Sequence, residues 1–220
     1  MRFGPDAQTC SYFLDGSKLT ITDKVEDLGI IIDHNLKFDE HCAELNRKCN
    51  FICYSIIKLF RKRSPEEYFK LFKLYVRPIM EYNICFWFPT PAKYVNIIEN
   101  IQRKFTRRIC PMGLSYTQRL EQLSDSTVRD RFLQFSCHLM YKALHNILQI
   151  DHTFAFSLLS ATRRNSQKLL IPFSKLSVRK SFCTIRSIKL WNSLPESVVS
   201  SPNFHSFKRA LVPDTPELRA

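Results

Sequence analysis

Glycine is scarce in this 220-residue chain, which holds only 4. A sandwich or barrel of short strands needs many tight turns, so the shortage argues against an all-β fold. It also removes any glycine-rich loop that could cradle a phosphate. Among the 8 cysteines there is no Cys-x-x-Cys pair, and no His-x-x-x-His lies near a cysteine pair, so zinc-site spacing is missing. His41, Cys42, Cys49 and Cys53 do cluster, but the three cysteines fall near one apolar helical stripe, where buried thiols are expected. No apolar run approaches the ~20 residues that span a bilayer, so no membrane partner is expected. Several cysteines lie in amphipathic stretches with no signal peptide ahead of them, which points to a reducing intracellular compartment.

The usual catalytic arrangements are missing as well. No Gly-x-Ser-x-Gly elbow occurs, and His138 and His145 lie on a helix that reads as packing. Two-metal phosphoryl transfer needs carboxylates that hold ions ~3.5–4 Å apart. Of the adjacent acid pairs, Glu66-Glu67 and Asp39-Glu40 are explained by helix N-termini, and Glu26-Asp27 has no partner carboxylate nearby. No enzymatic activity, metal or cofactor is therefore expected.

What the chain has is positive charge and helical periodicity. Lys and Arg number 33 against 20 Asp and Glu, a net charge of +13. Residues 1–40 carry 4 basic and 8 acidic residues, so the excess lies entirely in the remainder. A domain this basic usually meets a polyanion, and nucleic acid is the commonest. Asp15-Gly16 between apolar runs signals a hairpin, and Val25–Ile32 reads as a buried strand. Helices are expected over Glu40–Arg63, from Ser64-Pro65 through Ile79 with a break or kink at Pro78, over Lys93–Cys110, and over Val128–Ile150. Ser64 with Glu67, and Ser115 with Gln118, are capping boxes. Residues 161–190 contain eight Lys and Arg and no acid, and read as an extended basic linker as far as about Val178.

Two cation clusters stand out. Arg61, Lys62 and Arg63 close the first helix, where cations suit the negative end of its dipole. Arg103, Lys104, Arg107 and Arg108 run at i,i+4 beside the apolar face of the third. Both sets also fit a solvated face, but the second lacks neutralising acids nearby, which favours phosphate binding. Tyr82, Phe86 and Trp87 are able to stack on bases. They sit in a dense apolar run, however, and core packing is the stronger expectation.

The ordered blocks VEDLGIIID, LYVRPIMEYNICFW, IIENIQRKFTRRI, LSYTQRLEQL and DRFLQFSCHLMYKALHN resemble the region downstream of the active site in reverse transcriptases of non-LTR (LINE-type) retrotransposons, nearest the jockey and chicken-repeat-like clades. The tail RKSFCTIRSIKLWNSLPESVVSSPNFHSFKRAL is similar to the extreme C-terminus of the same polyproteins. The resemblance implies a mainly α chain in four parts. Residues 1–37 would be a β remnant of the polymerase palm and primer-gripping hairpin, and 38–160 a helical thumb-like bundle. A basic linker over 161–182 and a small C-terminal module over 183–220 would follow. It also implies that both cation clusters contact the phosphates of an RNA–DNA hybrid or other duplex. The family's catalytic Tyr-x-Asp-Asp is absent, so activity does not carry over. The alternatives are a protein-interaction fragment, with a partner covering the place of the missing palm, a relic with no selected function, or one piece of a mis-split longer reading frame.

Overall fold

The computed structural model describes residues 11–149, 167–175 and 177–211. It is mainly helical, with two small antiparallel hairpins at its start. Cys10, Arg163 and Arg164, the first part of the expected linker and the last residues of the chain lie outside the described residues.

The first hairpin pairs β1 (Phe13–Leu14) with β2 (Ser17–Lys18). Asp15 and Gly16 turn the chain at φ 49° and 76°, the paired positive angles that a tight two-residue hairpin requires. The stretch expected as one buried strand is instead a second hairpin, β3 (Lys24–Asp27) with β4 (Ile30–Asp33). Its turn is Leu28-Gly29, at φ 47° and 80°. Gly29 accepts the left-handed conformation freely, so the two short segments on either side of it pair with each other. Leu28 is left 81% exposed, and of the run only Ile30 is buried.

Asp33 then folds the chain into the first helix. Its carboxylate accepts from the backbone N–H groups of Asn35, Lys37 and Phe38 at 2.8–2.9 Å. Helix α1 (Asp39–Leu59) buries Cys42, Leu45, Cys49, Cys53 and Ile56, spaced three and four apart as one helical face requires. Burial pushes the thiols of Cys42, Cys49 and Cys53 up to about 12, so they behave as small hydrophobes.

Both expected capping boxes are present. Ser64 starts α2 (Pro65–Tyr75), with Glu67 returning the bond, and Ser115 starts α6 (Tyr116–Gln122), with Gln118 doing the same. Between them, the helical path breaks at Val76, one residue before α3 (Arg77–Glu81), which holds Pro78 in its first turn. Helix α4 (Ile84–Trp87) follows, then α5 (Ala92–Ile109). Thr127 caps α7 (Val128–Leu144), which ends six residues before the expected boundary. The C-terminal part adds α8 (Ser177–Lys180), α9 (Cys183–Ser193), α10 (Glu196–Val199) and α11 (Phe204–Ala210).

Two apolar cores result, and α7 serves both. The first joins α1, α2, α4 and α5 with Val128 and Phe132 from the start of α7. Trp87 is fully buried there, while Phe86 is half-buried and Tyr82 exposed. The second joins Cys137, Met140 and Tyr141 from the rest of α7 with Trp191, Val199 and Phe207. Within the stretch expected as linker, residues 167–170 dock on α9. Leu169 exchanges two hydrogen bonds with the Asn192 side chain at 2.8 and 2.9 Å, and Trp191 Nε1 donates to the Gln167 carbonyl at 3.0 Å.

Two packed histidines make the fold acid-sensitive. Burial, aided by Lys48, lowers His41 to about 4. Burial, with Lys208, Lys142 and Arg131, lowers His138 to about 4 among Phe135, Phe204 and Phe207. Both groups bind a proton less readily folded than unfolded, so their contribution to stability should fall as pH drops from the ordinary 6.5 toward 4. Thermal melts across that range check this, and His138→Phe should blunt the fall. A melting temperature independent of pH over that window would refute it.

Candidate nucleic-acid interface

Helix α5 is where the chain concentrates exposed positive charge. Ile98, Ile101 and Phe105 turn into the first core, as their spacing predicts. The buried face is broader than that apolar stripe, because Glu99, Gln102 and Thr106 are buried beside it. This second stripe receives α6 and the start of α7. Arg103, Lys104, Arg107 and Arg108 are thereby left on the exposed side.

These four cations form one wall of a groove of about 1080 Å³. The turn Pro111-Met112-Gly113-Leu114, exposed over its first three residues, also lines it, with Tyr116 and Arg119 of α6 on the other side. Gly113 sits at φ 92°, a conformation that a side chain would strain. No Asp or Glu lines the groove. Among the described residues none of the four cations is ion-paired, and Arg103 makes its bond to the neutral Asn100 side chain at 3.1 Å. Pairs of like charge at i,i+4 repel, each by roughly 0.2–0.5 kcal/mol. An approaching polyanion relieves that repulsion.

The opposite wall is held from beneath by hydrogen bonds. The Arg103 guanidinium lies over the Tyr116 ring at 4.9 Å. The Tyr116 hydroxyl donates to the Glu99 carboxylate and accepts from Gln102 Nε2 at 3.1 Å. Burial first, and the Glu99 charge second, push the Tyr116 pKa upward, so the hydroxyl stays protonated as a donor. Glu99 also accepts from the N–H groups of Val128 and Arg129 at 3.3 Å, which places its negative charge at the N-terminus of α7. Arg119 is buried rather than offered to a ligand. It donates to the Leu114 carbonyl at 2.7 Å and to Thr106 Oγ1 at 3.3 Å, tying the end of the turn to α5 and α6.

Beneath Gln102 lies an ion network. Arg77 donates to Gln102 Oε1 at 3.1 Å and to Asp125 Oδ2 at 2.9 Å. Lys73 pairs with the same Asp125 oxygen at 2.9 Å, and Arg77 and Arg131 share Glu81. Burial opposes ionisation of Asp125, but Arg77 and Lys73 outweigh it and hold the carboxyl below its ordinary range.

The other expected cluster lies elsewhere. Arg61, Lys62 and Arg63 are exposed on the connection between α1 and α2, because α1 stops at Leu59 and the Tyr68 hydroxyl caps the Phe60 carbonyl. Lys62 takes φ 56° to turn the chain toward Ser64-Pro65, and Arg63 is 3.7 Å from Glu67. This connection and the end of α5 share one end of the molecule, since Cys53 feels the charge of Arg108 and Cys110 that of Glu66. The three residues do not line the groove.

Over 142 residues the chain is 28% identical to an uncharacterized protein of Caenorhabditis elegans, a match covering 62% of this chain and 69% of that one. No protein-family model matches, and neither does any solved structure.

Among the described residues no group of three His, Cys, Asp or Glu side chains is placed to hold a metal ion, and no helix is long and apolar enough to cross a membrane. Sequence reasoning found the four groove cations but missed Arg77, Glu99, Gln102, Tyr116, Arg119 and Asp125. One signal was present: Glu99, Gln102 and Thr106 recur at helical spacing beside the apolar stripe, marking a polar face that another element covers.

Proposed function

We propose that this chain binds the phosphate backbone of duplex nucleic acid, foremost an RNA–DNA hybrid, through the groove between α5 and α6. In this reading it is the non-catalytic C-terminal part of a LINE-type RNA-directed DNA polymerase, and α1–α7 act as its thumb. The observation that carries the binding reading is the wall of Arg103, Lys104, Arg107 and Arg108, exposed and unpaired among the described residues in a groove that no carboxylate lines. The ordered sequence blocks supply the polymerase ancestry. The expected cation set at Arg61–Arg63 adds positive charge at the same end of the fold.

Backbone binding of this kind releases counterions, with a slope of about −0.9 per phosphate neutralised. Four contacts therefore predict an affinity loss of roughly 100-fold between about 50 and about 200 mM salt. Fluorescence anisotropy with an RNA–DNA hybrid measures it. The double variant Arg103→Ala, Arg107→Ala should flatten the slope by about two. An unchanged slope would remove α5 from the binding surface.

A second reading has its own observation. Tyr12, Phe13, Leu14, Ile21, Val25 and Leu28 are all exposed on the two N-terminal hairpins. Apolar side chains gathered this way mark an interaction surface, which favours a protein partner over the hairpins. Hydrogen exchange on the complex would reveal such a partner by protection confined to residues 11–29.

A further inference from the structure

Arg186, on α9, carries a charge that no carboxylate among the described residues neutralises. Its Nη1 donates to the Phe88 carbonyl at 2.6 Å and its Nη2 to that of Cys85 at 3.4 Å. Its Nε is buried without a partner, and among the described residues only two of its five N–H donors are engaged. The guanidinium lies over the Phe132 ring at 5.2 Å. Burial lowers its pKa, and the groups that oppose this are the thiols of Cys183 and Cys85. A guanidinium stays charged even so, and a desolvated charge held by neutral carbonyls is stabilised by any anion that reaches it.

Arg186 lines a pocket of about 460 Å³, within the usual range for small-ligand sites. Phe38, Phe86, Phe88 and Phe182 give it aromatic walls, and Lys37 adds a second cation. Phe86 and Phe182 are half-buried, which leaves part of each ring open to a ligand. Phe182 is also the N-cap of the 11-residue α9 and offers its first turn no side-chain acceptor. The positive end of that helix therefore adds to the charge of Arg186. The Asp33 carboxylate, on the strand leading into this loop, is taken up by three backbone N–H groups. No acidic residue lines the pocket.

We propose that this pocket binds a nucleotide, with its base against the phenyl rings and its phosphate on Arg186 and Lys37. Flat aromatic walls accept any base, and the two cations suit a phosphate. The pocket shares no lining residue with the groove between α5 and α6, so the two sites stand or fall separately.

Calorimetry on the full chain with adenosine 5′-monophosphate tests this. Phe182→Ala should weaken binding by about 10-fold, within the range that one base–aromatic stack contributes, and Lys37→Ala should weaken it as well. Arg186→Gln should abolish it. Because that variant also loses bonds to Phe88 and Cys85, the two surface variants keep the test decisive if it fails to fold. The double variant Arg103→Ala, Arg107→Ala should bind the mononucleotide unchanged. A 5′-phosphorylated tetrathymidylate at least 10-fold tighter than the mononucleotide would assign the pocket to a strand end, and equal affinity to a free nucleotide. The proposal is overturned if inorganic phosphate or N-acetylphenylalanine binds as tightly as the mononucleotide. It is equally overturned if neither Phe182→Ala nor Lys37→Ala changes the affinity.

Discussion

Arg77→Ala should cost about 3–5 kcal/mol, the range for breaking a buried ion pair from one side. At roughly 2–4 °C per kcal/mol for a protein of this size, the melting temperature should drop by about 10 °C. Arg77 is the hub of the polar layer under the groove, bonded to Asp125 and Gln102, close to Glu81, and lying over Phe69 and Phe72. Its loss strands the Gln102 carbonyl oxygen and removes packing between two core rings. Asp125 and Glu81 keep Lys73 and Arg131, which argues for the lower end of the range. Arg77→Met combined with Asp125→Asn should recover part of the loss, because methionine restores the packing stem and the Lys73 ammonium freed by the neutral amide is exposed enough to be solvated. Thermal melts of the single and paired variants form the required cycle. A single-variant loss below about 1 kcal/mol would mean that Lys73 and Arg131 satisfy both carboxylates without it.

Trp191→Ala should be as damaging but local. Trp191 is fully buried in the second core, beside Phe207 at 5.8 Å, and its ring N–H holds the Gln167 carbonyl. Truncating a buried tryptophan costs about 3–5 kcal/mol. Hydrogen exchange should show amides of α9–α11 losing more protection than those of α1, α2 and α5, since among the described residues the second core meets the first through α7 and through the bonds of Arg186 to Cys85 and Phe88. Equal loss throughout would show that the cores melt as one cooperative unit.

Capping boxes and apolar periodicity put the helices close to where they are, because those signals act within a few residues. Ser64 with Glu67 and Ser115 with Gln118 mark true helix starts, and Asp15-Gly16 marks a true hairpin turn. The Arg103–Arg108 wall could be read for the same reason, since i,i+4 spacing alone sets which side of α5 it occupies. Where a distant partner decides, sequence reading failed. Among the described residues Val25–Ile32 meets no further strand, and Leu28-Gly29 turns it back on itself. Arg61–Arg63 left the helix because α1 stops at Leu59, where the Tyr68 hydroxyl from the next helix takes the Phe60 carbonyl. Arg186 reads as one more charge in a basic stretch, and only its bonds to carbonyls about a hundred residues earlier make it distinctive.

The double service of α7 carries a consequence for synthesis. Its first turns find their partners already made, but the face bearing Cys137, Met140 and Tyr141 waits for Trp191 and Phe207. At about 5–20 residues per second, a ribosome leaves that face uncovered for roughly 3 to 13 s. During that interval the nascent chain presents a sticky helix beside a finished bundle, the kind of surface that holdase chaperones recognise.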